Sequence, residues 1–308
     1  MKRFYTIDEN NKEVFDLELF THHYKNNNVT TINSLSGGKT SSYIAYHYPA
    51  DYNIFSLVRT NDKNCLFPDE KIRQMVSDKI GKEFIGTLEE DAIIYTMFDL
   101  EQFIGQEINW ISGQTFDEII KTKSGKQYLP NKMQRICTIK MKIEPIAQWC
   151  YENIDLPCAM RIGFRANEQR RANNMIERCV DGLDMFKFKV GEKNGRNKWK
   201  ELPYRVPEFP LINNAIFKDK IETFWKDKPV RFAYMNNCVG CFHRPELLLK
   251  HMSNKQPTKF EWFAKQEREN ENSTWRTGTT YDRIKQHKSQ LNLFDDDFNE
   301  CDSGYCGL

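Results

Sequence analysis

The stretch Ser34-Leu35-Ser36-Gly37-Gly38-Lys39-Thr40-Ser41-Ser42 constrains the fold of this chain more than any other. The β-rich residues 29–33 before it predict a strand. Residues 43–48 after it predict a helix that stops at Pro49. Strand, glycine turn and helix together make a geometry that holds phosphate. Glycine lets the backbone come close to an anion, amide N–H groups point at it, and the helix N-terminus adds partial positive charge. Lys39 and the hydroxyls of Thr40, Ser41 and Ser42 supply further donors.

Two phosphate loops compete for these residues. The Walker A loop requires G-x-x-x-x-G-K-[ST]. Gly38-Lys39-Thr40 fits its second half, but its first glycine falls on Asn33, and no hydrophobic strand ending in a magnesium-binding Asp accompanies it. The pyrophosphatase loop S-G-G-x-[DT]-S is matched throughout by Ser36 to Ser41. The plain alternative is a surface turn followed by a helix.

Alternation continues downstream. Residues 52–58 predict a second buried strand, running into Asn61-Asp62-Lys63-Asn64-Cys65-Leu66-Phe67-Pro68-Asp69-Glu70. Residues 72–80 predict a helix and 83–85 a short strand. Such alternation argues for an α/β fold, a parallel sheet covered on both faces, with ligands at the C-terminal ends of its strands. Residues 4–20 predict a β-hairpin. From 91 to 126 the pattern weakens to short helices at 99–104 and 116–120. Residues 135–151 lead into a helix, 158–163 predict a core strand followed by a polar loop, and 186–206 a hairpin turning at 191–195. Helices at 215–225 and 258–269 flank a knuckle at residues 236–245. The expected organisation is an N-terminal hairpin (1–28), a nucleotide-binding α/β domain (29–212), a helical part carrying C-x-x-C (213–290) and a mobile acidic tail (291–308).

Composition narrows the class. In 308 residues, 39% hydrophobic and 13% aromatic content predict a sizeable core. No apolar run approaches a membrane span and Met1-Lys2-Arg3-Phe4-Tyr5-Thr6 is no signal peptide, so a soluble cytoplasmic protein without a membrane partner is expected. The net charge of +2 neither requires nor excludes nucleic acid. Nine cysteines in a reducing compartment point to thiols that are free, metal-bound or catalytic. Cys238 and Cys241 form a C-x-x-C pair. It is readable as a metal or cluster site, a redox dithiol or two structural cysteines. Cys150, Cys158 and Cys179 lie in apolar contexts and are expected in the core.

Several separated stretches, in order, resemble the phosphoadenosine phosphosulfate (PAPS) reductase family of the adenine-nucleotide α-hydrolase superfamily. Ser36-Gly37-Gly38-Lys39-Thr40-Ser41 is similar to its PP-loop. Asp62 to Asp69 resembles its D-T-G-x-x-F-P-E stretch, and Arg135-Ile136-Cys137-Thr138 with Lys142-Ile143-Glu144-Pro145 its R-x-C-[CT]…K-x-x-P segment. Gly163-Phe164-Arg165-Ala166-Asn167-Glu168-Gln169-Arg170-Arg171 resembles its G-x-R-x-x-E-S-x-x-R loop, with Gln169 in place of Ser. Asn237-Cys238-Val239-Gly240-Cys241 is similar to the C-x-x-C of iron–sulfur members.

The resemblance implies a doubly wound, Rossmann-like parallel sheet that binds ATP or a related adenine nucleotide through Ser36, Gly37, Gly38, Lys39, Thr40, Ser41, Asp62, Arg165 and Arg170. Lys39 would stabilise charge on the transferring group, and Asp62 is a candidate for Mg2+ or ribose. It also implies a [4Fe–4S] cluster on Cys137, Cys238 and Cys241. The fourth ligand is Cys301 or Cys306, or the fourth iron is open. Zinc is the alternative, with His243 or His251 as nitrogen ligands. Two activities follow. One cleaves ATP at the α-phosphate, adenylates an acceptor and transfers sulfur, with DNA or tRNA as candidate acceptor and a cysteine desulfurase as candidate partner. The other reduces PAPS or adenosine phosphosulfate to sulfite, with Cys306 as tail nucleophile and a thioredoxin-like partner. A non-catalytic nucleotide-binding module is the third reading.

Overall fold

The computed structural model describes residues 3–121, 128–270 and 273–287. The chain starts with an antiparallel ribbon of β1 (Tyr5–Ile7) and β2 (Glu13–Phe15). The hairpin expected over residues 4–20 ends at Phe15, because the Asp16 carboxylate accepts from the Leu19 amide at 2.9 Å and caps a helix, Leu17–Lys25. Phe4 and Phe20 meet edge-to-face at 5.2 Å and fix that helix to the ribbon.

Six further strands form one sheet: β3 (Thr31–Leu35), β4 (Tyr52–Ser56), β5 (Ile108–Ile111), β6 (Cys158–Arg161), β7 (Asp184–Lys193) and β8 (Arg196–Glu208). Their spatial order is β5-β4-β3-β6-β8-β7, parallel throughout except for the β7–β8 hairpin. The protein is thus α/β with a mostly parallel sheet. Period-two alternation sends Ile32 and Ile54 to one face, against Ile146, Ala147 and Cys150 of the Glu144–Asn153 helix. Leu35 and Phe55 go to the other face, against the Lys39–His47, Ala92–Ile104 and Lys218–Trp225 helices. Both faces are covered, as a parallel sheet requires.

Polar residues inside the sheet are paired with one another. Asn33 and Asn53 are both fully buried, and Asn33 Nδ2 donates to Asn53 Oδ1 at 3.0 Å. Asn53 Nδ2 in turn donates to Gln106 Oε1 at 2.9 Å. This amide chain links β3 and β4 to the turn before β5. β3 lies between β4 and β6, so the chain runs outward from β3 in one direction and then crosses to its other side. Loops leaving β3 and β6 therefore diverge and open a crevice between them.

The helices Glu246–Lys255, Pro257–Arg268 and Tyr281–Gln286 pack into one core with Val58, Leu88, Phe116, Cys137 and Met141. The expected boundary at 212/213 is no seam, because residues on both sides share this core. Cys150 and Cys158 are fully buried, as expected, whereas Cys179 is half-buried. Among the described residues no helix is long and apolar enough to cross a membrane.

Trp275 pins the C-terminal part. It is fully buried, its indole N–H donates to the Phe263 carbonyl at 2.9 Å, and its ring lies 5.3 Å from Phe263 and 6.1 Å from Phe116. Trp275→Ala is expected to cost about 3–5 kcal/mol of stability. A urea unfolding midpoint equal to that of the unaltered protein would contradict this packing role.

Candidate functional site

The β3–β6 crevice contains a solvent-open cavity, about 1080 Å³ with the open solvent at its mouth included, walled by Ser36, Gly38, Thr40 and Ser41 of the glycine loop and by Gly163, Phe164, Arg165, Glu168 and Arg171 after β6. Local chemistry builds the loop. Gly37 has φ +81°, a left-handed conformation that L side chains rarely adopt, and a Cβ there would lie 2.6 Å from Ile93. Ser41 Oγ lies 3.1 Å from the Ser36 amide, the Ser36 hydroxyl and the Gly38 carbonyl, closing the turn. Gly38 is the N-cap of the Lys39–His47 helix and supplies no side-chain cap. The first amides of that helix therefore have no intrahelical acceptor, which is what an anion needs.

The β6 side brings cations. Arg165 is 6% exposed, and its Nε donates to Glu168 Oε2 at 3.0 Å. Arg171 donates to Glu168 Oε1 at 2.5 Å and stacks 4.1 Å over the Phe164 ring. Burial raises the Glu168 pKa, but the Arg165 amide and the Arg165 and Arg171 charges outweigh it and hold the carboxyl below its ordinary value. Arg171 Nη2 and Asn236 Oδ1 are buried on the cavity wall with no hydrogen-bond partner among the described residues. One donor and one acceptor are thus left for a ligand to satisfy.

Three expected residues are placed elsewhere. Lys39 does not line the cavity. Its ammonium pairs with Glu222 and its carbonyl accepts from the Trp225 indole at 2.9 Å. Asp62 lies outside both cavities and accepts from the Asn64 amide at 2.8 Å, as the cap of a short 3-10 turn. Arg170 is exposed on the Gln169–Ile176 helix, which forms where a polar loop was expected. Its neighbour Arg171 takes the inward position, one residue further round the helix.

A second cavity of about 500 Å³ is lined by Cys137, Cys238 and Cys241 together with Glu89, Arg135, Lys142, Phe242, His243 and Phe263. Cys137, 101 residues before Cys238 in sequence, therefore shares one space with the C-x-x-C pair. Cys137 sits at the start of a helical run that passes through a wide π turn, Ile139–Ile143, into the Glu144–Asn153 helix. The Met141 carbonyl in that turn accepts from Ser56 at 2.7 Å. The knuckle is held as tightly. The Val239 amide donates to the Leu88 carbonyl at 2.8 Å, and the buried Tyr281 hydroxyl to the Gly240 carbonyl at 2.8 Å. A Cβ on Gly240 would meet the Phe263 ring at 2.4 Å, so only glycine lets the turn lie against that ring. Burial and the charges of Arg135, Lys132 and Arg276 push the His243 imidazole down to about 4, which leaves it neutral at pH 7. No three His, Cys, Asp or Glu side chains among the described residues converge on a single-ion site. Cys301 and Cys306 lie outside the described residues.

The two cavities adjoin. Lys142 and Asn237 line both. Lys142 Nζ pairs at 2.9 Å with Glu89, whose side chain is 1% exposed. With its amide nitrogen donating to the Asn236 carbonyl, Asn237 accepts from buried Arg244 at 2.7 Å. The sequence offers Arg165, Arg170 and Arg171 alike as phosphate clamps without separating Arg170 from Arg171, and it gives no role to Asn236, Asn237 or Glu89. The position of the two asparagines beside C-x-x-C was the available signal.

Two outcomes check this geometry. Arg171→Ala should weaken binding of ATP at least tenfold in calorimetry, the loss of one charged hydrogen bond of about 1.5–3 kcal/mol, while Arg170→Ala stays within about twofold. Cys65 is 2% exposed, and burial first, then the Asp62 charge, push its thiol up to about 12. At pH 8 the native protein should therefore resist alkylation at Cys65 and become labelled there only on unfolding in urea, as read by peptide mass spectrometry.

Comparison with protein families, with curated proteins and with solved structures finds no match to this chain.

Proposed function

We propose that the protein is an adenine-nucleotide α-hydrolase-type enzyme of the PAPS reductase kind. In this reading it cleaves ATP between the α- and β-phosphates and uses an iron–sulfur centre to transfer sulfur to an adenylated acceptor. One observation carries the reading: a crevice at the sheet's switch point, lined by the glycine loop and by Arg165 and Arg171, shares the wall of Lys142 and Asn237 with a cavity lined by three cysteines.

The residues divide the work. Amides at the start of the Lys39–His47 helix, with the Ser36 and Thr40 hydroxyls, hold the pyrophosphate end. Arg171 offers its unsatisfied N–H to a phosphate oxygen, and Glu168 fixes both arginines in place. Lys142, between the cavities, sets a positive charge beside the phosphate nearest the thiols. Lys39, tied to Glu222, serves through its backbone rather than its ammonium.

The reading takes the metal to be a cluster, with one zinc ion as the alternative. Three thiols line one cavity together with Phe116, Met141, Phe242 and Phe263. Cys137, Cys238 and Cys241 would hold such a cluster, which when bound supplies iron able to take up sulfur.

Anaerobically purified protein tests the reading. It should be brown, carry iron, and release pyrophosphate from ATP and magnesium in the presence of a nucleic-acid acceptor. Cys137→Ser should lower iron content and colour while leaving ATP affinity within about twofold. A colourless protein holding zinc would overturn the cluster. Sulfite released from PAPS by a protein that ignores ATP would make it a sulfonucleotide reductase instead.

A further inference from the structure

The β7–β8 hairpin is longer than the sheet needs. Only Arg205 to Glu208 of β8 pair with β6, and residues 184–205 continue as a two-stranded ribbon. Its base is anchored. Phe188 is fully buried and stacks on Tyr151 at 5.1 Å, and Gln148 donates to the Lys189 carbonyl at 3.5 Å. Beyond that base, residues 191–201 are all exposed.

Charge on this ribbon is sorted by face. Cross-strand partners share a face, and residues two apart on one strand share it as well. On one face Lys187 stands opposite Glu201, and Lys189 pairs with Glu192 at 2.7 Å beside exposed Trp199. That face is balanced. On the other face Arg196, Lys198 and Lys200 follow one another along β8, and Lys193 stands directly opposite Arg196. None of these four has an ion-pair partner among the described residues. Like charges directly opposite one another destabilise a ribbon, and a row of cations without an anion adds to that cost.

The geometry points to a duplex-DNA-binding arm: the Lys193, Arg196, Lys198 and Lys200 face of the ribbon lies against the phosphate backbone of double-stranded DNA. A two-stranded ribbon is of a width that the B-DNA major groove admits, whereas the major groove of A-form RNA is too narrow to enter. The cations form a line along one strand, which suits a linear polyanion. The large exposed apolar side chain here, Trp199, is on the opposite face and is not available to insert into a bilayer behind them. The inference stands apart from the chemistry assigned to the cavities, because it is tested without nucleotide, iron or turnover.

The test is fluorescence anisotropy of a labelled 20-base-pair duplex (about two helical turns) with the full chain at several salt concentrations. The unaltered protein should bind, with log K falling as log salt rises. Lys193→Gln, Arg196→Gln, Lys198→Gln and Lys200→Gln combined should weaken binding at low salt at least tenfold. The combination should also flatten the salt slope by up to about 3.6, at roughly 0.9 per phosphate contact. All four side chains are exposed, and an unchanged thermal unfolding midpoint will show that the fold persists. Lys187→Gln with Lys189→Gln, on the balanced face, should leave affinity within about twofold. The proposal fails if the fourfold variant binds as the unaltered protein does, if single-stranded DNA or duplex RNA is preferred, or if phosphatidylserine vesicles are bound and the duplex is not.

Discussion

β3 takes hydrogen bonds from a parallel neighbour on each side, and the rest of the molecule is arranged by that fact. A strand so placed has no edge, so its side chains must satisfy two covered faces at once. Ile32 and Leu35 do so with apolar contacts to opposite layers. Asn33 does so by pairing with Asn53 instead of water. Because β4 and β6 leave β3 in opposite directions, nothing covers the space beyond its C-terminal end. The loop there ends in glycines and hydroxyls, and the facing loop in arginines held by Glu168. A crevice of this charge follows from topology first and from side chains second.

The cysteine cavity rests on a different constraint, the aromatic packing of Phe116, Trp262, Phe263 and Trp275. These rings bring the knuckle at 238–241 against the helical run that starts at Cys137. The wide π turn sets the phase of Lys142 so that it reaches Glu89 while still facing the crevice. A group at the junction of two cavities is sensitive to what fills either one, and Lys142 is held there by two buried supports, Ser56 below the turn and Glu89 beside it.

Much of the sheet was legible. Strands at 52–58, 158–163 and the hairpin at 186–206 declare themselves through apolar runs and turn residues, and the glycine loop declares the strand–turn–helix unit around it. β5 was missed, since Ile108-Asn109-Trp110-Ile111 is too short to show a period, although Gly105 before it and Ser112-Gly113 after it bracket it as a strand. The Glu246–Lys255 helix was readable but missed: Pro245 precedes it, and Leu248, Leu249 and Met252 repeat at helical spacing. Lys39 could not be placed from sequence, because its direction is decided by Glu222, which lies 183 residues away. The choice between Arg170 and Arg171 depends on helical phase, and a stretch that reads as loop carries no phase. The three cysteines of the second cavity were grouped by resemblance, not by spacing, since C-x-x-C alone names only two of them.

The ribbon formed by β7 and β8 is attached to the remaining structure at its base alone. Lengthening or trimming its distal end would disturb neither the switch-point crevice nor the aromatic cluster, since the cost of a longer excursion grows slowly with its length. Surface charge there is free to drift in sequence while the interior stays fixed. A change of charge at the distal end can thus alter what the ribbon docks against while the crevice and its aromatic support stay as they are.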